Sequence, residues 1–158
     1  MPHVILVHGW EGHPEEGWFP WFKRELEARG FHVDVPAMIP ADAPSRERWV
    51  PQLAALVGTP DADTYLVGHS AGCITILRYL EGLPDGVQIG GAVLVAGFTD
   101  DLGYKELANY FTTPLDLPHI RSRAKGFVAI HSDNDKYVPL RHGDIFKEQL
   151  GAELIVLH

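Results

Sequence analysis

The chain has 158 residues, of which 46% are hydrophobic and 22% are charged, and its formal net charge is −8. This length and composition predict one globular domain with a single core, spanning residues 1–158. The negative charge argues against a nucleic acid or an anionic membrane as a partner. Because the chain has one cysteine and shows neither a secretion signal nor a membrane-spanning run, we expect a cytoplasmic protein.

Short apolar strands alternate with helices along the chain. The first strand is predicted at 3–7, where a continuous β-branched run is typical of a buried parallel strand. A helix at 18–29 and a strand at 31–35 follow, and then a helix from Ser45 to Val57, in which Pro51 forces a kink or a start near Val50. The later predicted elements are a strand at 65–67, a helix ending at 81, strands at 92–95 and 127–130, a helix at 140–150 and a strand at 153–157.

This alternation predicts a three-layer α/β fold, in which a parallel sheet carries helices on both faces. Residues 98–123 are the least regular part of the chain and contain several aromatic residues. We expect this segment to form a small helical cover over the site. In such a sheet, ligands bind beyond the carboxyl ends of the strands, so residues that directly follow strands are the candidates for function.

A glycine-flanked serine lies between the third strand and the next helix, in Gly68-His69-Ser70-Ala71-Gly72. A serine at such a turn takes a strained backbone conformation, and glycines two positions away on each side remove clashes. The turn lifts the hydroxyl clear of the sheet and points the first amides of the helix at whatever it attacks. We therefore predict that Ser70 is a nucleophile. A turn in which Ser70 only caps the helix would explain the serine but not both Gly68 and Gly72.

Two carboxylates follow the fifth strand, in Asp133-Asn134-Asp135. A nucleophilic serine needs a base to take its proton, and the base needs an acid to orient it. Asp135 is preferred over Asp133 as this acid because it lies at a turn leading into a helix, which fixes its backbone. The alternative is that both carboxylates cap that helix.

The loop after the first strand, His8-Gly9-Trp10, is predicted to form part of an oxyanion hole. An oxyanion needs two backbone donors, and we expect these to be the amides of Ala71 and Trp10. His8 and Gly9 would then shape the loop. Three aromatic side chains are also candidates for lining an acyl pocket, namely Trp10, Trp18 and Trp21. Aromatic residues at helical spacing are, however, more often part of a core.

Two other kinds of site are disfavoured. Asp34 ends the second strand where a ribose-binding acid would lie, but Trp10 occupies the place where a pyrophosphate needs open backbone. The nine histidines are scattered and form no short ligand cluster. We therefore expect neither a bound metal nor a dinucleotide.

These motifs resemble one known family. His8-Gly9-Trp10-x-Gly12, Gly68-His69-Ser70-Ala71-Gly72 and Ser132-Asp133-x-Asp135-x-x-Val138-Pro139 are similar to the small serine hydrolases of the α/β-hydrolase superfamily, the retinoblastoma-binding protein 9 and YdeN-like family. The resemblance implies an α/β-hydrolase with Ser70 as nucleophile and Asp135 as triad acid. It also implies hydrolysis of small carboxylic esters, with amides as a second substrate class, and no cofactor.

The base is where the sequence departs from this family. The resemblance implies a histidine in a Gly-His-Phe-like segment a few residues beyond the last strand, and a helix after it. Here the last residue, His158, ends that strand, so we expect the segment that carries the base and the last helix to be absent from residues 1–158. Within them, His158 and His131 are the candidate bases, although a terminal residue is poorly held.

Two hypotheses follow. The first is a serine hydrolase that forms an acyl-enzyme on Ser70 with a small ester. The second is a binding or interaction protein on the same scaffold, without turnover, for which a protein partner stays open.

Overall fold

A six-stranded parallel sheet forms the centre of the molecule, in a computed structural model that describes residues 1–158. The strand order is β2-β1-β3-β4-β5-β6, so the sheet grows in one direction from β1 and in the other from β3. The switch point between these two directions is the place where open α/β sheets bind ligands. The strands are β1 (His3–Val7), β2 (His32–Asp34), β3 (Thr64–His69), β4 (Gly91–Val95), β5 (Phe127–Ser132) and β6 (Glu153–Leu157).

Helices cover both faces of the sheet, as the alternating sequence pattern predicts. One face packs on the first helix through a small core of five buried residues, among them Phe19, Leu6 and Val67. The other face packs on the remaining helices through a main core of 29 buried residues. The helices are α1 (Phe19–Glu27), α2 (Arg46–Val57), α3 (Ala71–Glu81), α4 (Leu117–Arg121) and α5 (Arg141–Leu150).

The central helix α3 is buried on every side. All residues from 71 to 80 are buried, because α3 lies between the sheet and α2. Most of these residues are apolar, and a helix that is apolar on most of its faces belongs in a core. This burial holds the N-terminus of α3, and the serine just before it, at a fixed place beside β1 and β3.

The irregular segment after β4 forms a cover, as expected from the sequence. It contains a 3₁₀ helix at Lys105–Phe111 and then α4. The buried Arg78 of α3 holds this cover, since its guanidinium donates to the carbonyls of Tyr110 at 2.9 Å, Thr113 at 2.6 Å and Pro114 at 3.3 Å. The cover is therefore anchored to the most buried helix of the molecule.

α2 has the bounds of the helix expected between Ser45 and Val57. The helix begins at Arg46, with Ser45 as its N-cap, and contains Pro51 inside it, so the alternative of a start near Val50 is not observed. The first turn forms because the amides of Arg48 and Trp49 both donate to the carbonyl of Ser45, at 3.2 and 2.7 Å. Burial of Trp49, Leu53 and Val57 in the main core stabilises the helix despite the proline.

The far edge of the sheet leaves apolar side chains exposed. In β6, Ile155 is 39% exposed and Leu157 is 54% exposed. Among the helices, none combines the length and the apolarity that crossing a membrane requires.

Candidate active site

Ser70 sits at a sharp turn between β3 and α3, with φ 56° and ψ −118°. A non-glycine residue with such a positive φ is strained, and strain of this kind is concentrated at functional sites. The turn is held at both ends, because the Ser70 amide donates to the Val95 carbonyl and the Cys73 amide donates to the Ser70 carbonyl, both at 2.9 Å. The serine side chain is thereby presented at the carboxyl end of the sheet.

The two glycines that flank the turn are required by close backbone contacts. A Cβ atom added to Gly68 would lie 2.8 Å from the amide nitrogen of Cys73. One added to Gly72 would lie 2.8 Å from the carbonyl carbon of Val7. Carbon atoms in contact are normally about 3.5–4.0 Å apart, so neither position has room for a side chain. These contacts agree with the predicted need for glycine at both positions.

The loop after β1 lies directly against the serine. A Cβ atom on Gly9 would be 3.1 Å from the Ser70 Cβ and 3.7 Å from the Ala71 amide nitrogen. The Trp10 amide donates to no other group, whereas the next amide, of Glu11, donates to the Ala41 carbonyl at 2.7 Å. Ala71 is the first residue of α3, so its amide has no partner within the helix. Both amides proposed for the oxyanion hole therefore lie in segments that meet at Ser70.

His8 holds this loop in place. Its side chain is fully buried, its Nδ1 donates to the Gly9 carbonyl at 2.8 Å, and its Nε2 accepts from the Met38 amide at 2.9 Å. Burial lowers the pKa of His8, and the bond to the Gly9 carbonyl opposes that shift. A neutral ring with one donor and one acceptor satisfies both partners. His8 thus fixes the backbone on which Trp10 sits.

Asp135 faces the same pocket as Ser70, whereas Asp133 does not. Asp135 lines the pocket, and its Oδ1 accepts from the amides of Tyr137 at 2.8 Å and Val138 at 3.0 Å. The second carboxylate oxygen, Oδ2, has no partner and is available to another side chain. Asp133 instead accepts from the Nδ1 of His158 at 2.6 Å at the edge of the sheet. Both carboxylates follow β5, but only Asp135 lines the pocket that contains Ser70.

Neither candidate base reaches Ser70. His158 pairs with Asp133 and its side chain is 87% exposed. His131 is buried beside α5, where its Nε2 donates to the Gly97 carbonyl at 3.0 Å and a Cβ on Gly143 would lie 3.1 Å from its Nδ1. Its side chain lies on the α5 face because side chains alternate along β5. The structure therefore places neither of these two candidate histidines beside Ser70.

His69 is the one histidine that lines the pocket. Its ring packs edge-on against Trp18 at 6.3 Å and Phe19 at 6.0 Å, and its buried Nδ1 has no hydrogen-bond partner. Burial lowers the pKa of His69, which keeps the ring neutral. This packing holds the His69 ring against Trp18 and Phe19.

The pocket above Ser70 has a volume of about 500 Å³. Seven of its eleven lining residues are hydrophobic, and the ring of Trp10 meets that of Tyr104 edge-on at 5.7 Å. Of the other two tryptophans suggested for an acyl pocket, Trp18 packs in the small core and Trp21 is 56% exposed. Of the three tryptophans, Trp10 alone lines the pocket, because α1 lies on the other face of the sheet.

Part of the pocket wall has no signal in the sequence. Leu102 and Leu107 come from the cover, and Tyr137 comes from the loop after β5. Ala96 also lines the pocket and has a φ of 53°, which is unusual for alanine. A positive φ directly after a strand cannot be read from an alanine. The position of Tyr137 between Asp135 and Pro139 was the only available hint.

A doubly wound parallel sheet, a strained serine between strand and helix, and an aspartate beyond a later strand together define an α/β-hydrolase. Residues 4–158 match the family model described as serine hydrolase. The chain belongs to this serine hydrolase family, which confirms the resemblance and the fold class expected from the sequence.

Individual relatives agree with this assignment. YdeN of Bacillus subtilis (strain 168) is 36% identical over 152 residues, which are 96% of this chain and 80% of that protein. The crystal structure of the ydeN gene product superposes with a TM-score of 0.94 at 33% identity, covering 100% of this chain and 86% of that one. Serine hydrolase RBBP9 of Rattus norvegicus is 26% identical over 87% of this chain and 73% of its own length. Est1E of Butyrivibrio proteoclasticus, in its complex with ferulic acid, shares the fold, with a TM-score of 0.81 at 17% identity over 99% of this chain and 79% of that one.

Proposed function

We propose that this serine hydrolase cleaves small carboxylic esters through an acyl-enzyme on Ser70, with Asp135 as the triad acid. The observation that carries the proposal is the strained Ser70 at the floor of an apolar pocket that also contains the free Oδ2 of Asp135. A strained serine and a carboxylate with one unused oxygen are two members of a catalytic triad. The third member, the base, would lie between them and contact both.

In the proposed reaction, Ser70 Oγ attacks the ester carbonyl carbon while the base takes the Oγ proton. The carbonyl oxygen becomes an oxyanion and accepts hydrogen bonds from the amides of Trp10 and Ala71. The positive end of the α3 dipole lies at the same place and adds to this stabilisation. Collapse of the tetrahedral adduct breaks the bond to the alcohol, which leaves with the proton held by the base. Water then cleaves the acyl-enzyme by the same steps.

We propose that the base is a histidine beyond His158, in a segment that follows β6. Support comes from the position of the strand end, since Leu157 pairs in register with Ser132 and its carbonyl accepts from the Asp133 amide at 3.0 Å. Residues after β6 would therefore leave the sheet beside the loop that carries Asp135. The free Oδ2 of Asp135 would accept the Nδ1 proton of that imidazole, and its Nε2 would face Ser70.

The pocket supports a neutral ester with a short apolar or aromatic group. Its wall is made of aromatic and aliphatic side chains, while the charged residues Glu11 and Asp135 at the pocket are both acidic. An anionic substrate would be repelled by these carboxylates and by the net charge of −8. A volume of about 500 Å³ falls within the range of small-molecule sites.

The test is the hydrolysis of p-nitrophenyl acetate and butyrate by the purified protein. Asp135→Asn is expected to lower kcat by about 10³–10⁴-fold, because an amide cannot stabilise the imidazolium. Asp133→Asn is the matched control, since Asp133 faces away from the pocket, and it is expected to leave kcat unchanged. Equal losses in both variants, or none in either, would contradict the assignment of the acid.

The pocket wall is tested with the same esters. Tyr104→Ala removes one aromatic wall and is expected to raise KM for the butyrate ester several-fold with a smaller change in kcat, because the lost contact is made in the ground state as well. Trp21→Ala removes an aromatic residue of α1 that is 56% exposed and lies outside the pocket, so it serves as the control. An equal effect of both substitutions would contradict the proposed binding surface.

A further inference from the structure

A cluster of three metal-binding side chains lies at the outer edge of the sheet, away from Ser70. The Nε2 of His3 is 2.7 Å from the Oδ2 of Asp34, and the Nε2 of His32 is 3.1 Å from the same oxygen. The three residues offer one ligand atom each, and these atoms all lie within 4.8 Å of one another. This cluster is not visible in the sequence, because His3 and Asp34 are 31 positions apart.

Strand pairing brings the three side chains together. β1 and β2 are parallel, and His3 pairs in register with His32. Asp34 lies two residues after His32 and therefore points to the same face of the sheet. Val33, between them, points to the opposite face and is buried against α1 in the small core. The backbone register thus fixes the convergence, which does not depend on one flexible side chain.

We propose that His3, His32 and Asp34 form a binding site for a divalent transition metal, and that this metal is Zn²⁺. Zn²⁺ favours a donor set of two imidazole nitrogens and one carboxylate. Ca²⁺ and Mg²⁺ prefer oxygen ligands and do not favour this set. Zinc binds such atoms at about 2.0–2.2 Å, which places ligand atoms a little over 3 Å apart in a tetrahedral site. Small rotations of the side chains bring the observed cluster to that geometry.

Metal binding requires only a change of tautomer in the two rings. In the cluster without metal, each Nε2 donates to the Asp34 carboxylate. In the bound form the proton of each ring lies on Nδ1, and Nε2 offers its lone pair to the metal. The three protein ligands leave a fourth position for water. The half-exposed cluster also leaves a path for the metal, since the side chains of His3, His32 and Asp34 are 26%, 57% and 35% exposed.

The site would stabilise the fold and take no part in hydrolysis. His3 and His32 begin their strands, whereas Ser70 lies beyond the opposite end of the sheet. The four residue steps from His3 to Val7 alone span about 13 Å. The edge strand β2 has only three residues. A metal that joins two of them to β1 would hold this strand to the sheet.

The experiment is a calorimetric titration of ZnCl₂ into the full chain, prepared without a histidine tag and freed of metal with EDTA. We expect one Zn²⁺ per chain with a micromolar or lower Kd, and a rise in Tm of about 5–10 °C at a hundredfold excess over Kd. His32→Gln and Asp34→Asn are each expected to weaken binding by at least about tenfold. His13→Gln, in an exposed loop, is the matched control and should leave the Kd unchanged.

Two results would overturn the proposal. One is the lack of any Zn²⁺ binding by the wild-type chain up to about 1 mM, a weak limit of affinity. The other is binding that stays equally tight in both His32→Gln and Asp34→Asn, which would place the metal elsewhere. The wild-type titration decides the question even if a variant does not fold. Ester hydrolysis measured with and without Zn²⁺ separates this proposal from the function of Ser70, because we expect no change in rate.

Discussion

Gly72→Ala tests whether close backbone contact holds the serine turn against β1. The added Cβ would lie 2.8 Å from the Val7 carbonyl carbon and 2.9 Å from the His8 carbonyl oxygen. Both atoms belong to the backbone at the buried end of β1, so neither can move aside cheaply. Overpacking of this kind costs about 1–3 kcal/mol, and we take the upper end because the contacts are with backbone.

A smaller effect opposes this cost. Alanine is favoured over glycine in a helix by up to about 1 kcal/mol. The net loss of unfolding free energy is therefore about 2 kcal/mol, which corresponds to a fall in Tm of about 4–8 °C for a domain of this size. Because His8 and Gly9 must shift to make room, the loop that carries Trp10 should move as well. The reaction of Ser70 with a fluorophosphonate probe should then be slower.

Urea unfolding followed by tryptophan fluorescence measures this change. Gly126→Ala is the matched control, because a Cβ there meets nothing within 4 Å. Its unfolding free energy should stay within about 0.5 kcal/mol of the wild-type value. If Gly72→Ala is as stable as Gly126→Ala, the explanation of the second glycine is refuted.

Three further predictions concern strain, pH and the cover. Ser70→Gly should be about 1 kcal/mol more stable than Ser70→Ala in urea unfolding, because both lack the hydroxyl but only glycine relieves the φ of 56°; equal stability would mean that the turn is unstrained. Burial lowers the pKa of four histidines from their ordinary value of 6.5, namely His8, His69, His131 and His142. As the pH falls below 6.5, the unfolded state therefore binds more protons at these histidines than the native state does. Their stabilising contribution is complete above about pH 6.5 and should be lost as the pH falls below that value, whereas equal urea midpoints at about pH 7.5 and 5.5 would contradict this. Arg78→Met should cost about 3 kcal/mol and expose the segment around Thr113 to proteolysis, since it leaves three carbonyls without their donor; an uncleaved cover would contradict the anchoring role.

The sequence predicts most of the sheet because its strands are short, apolar and clearly bounded. β1 and β6 have the predicted bounds, at His3–Val7 and Glu153–Leu157. α2 also has the expected bounds, and Pro51 lies inside it because the local effect of the proline is outweighed by burial of Trp49 in the main core. Propensity is a weak guide where tertiary packing decides.

The candidate site was predictable where function is carried by local backbone geometry. The glycines on both sides of Ser70 indicate a tight turn, and the order of residues after β5 favours Asp135 over Asp133. The position of a histidine relative to Ser70 depends on which face of a strand it occupies and on contacts far along the chain. The same is true of the cluster of His3, His32 and Asp34, which only strand register reveals.

The most direct test of the central claim, that Ser70 is an activated nucleophile, is the intact mass of the protein before and after a fluorophosphonate probe. We predict one phosphonyl adduct per chain, which is absent in Ser70→Ala. The mass of the untreated protein also shows whether residues that could carry the base follow His158. A wild-type protein that gains no adduct, or a Ser70→Ala variant that still gains one, would contradict the account. The first of these results would instead favour a binding protein on a hydrolase scaffold.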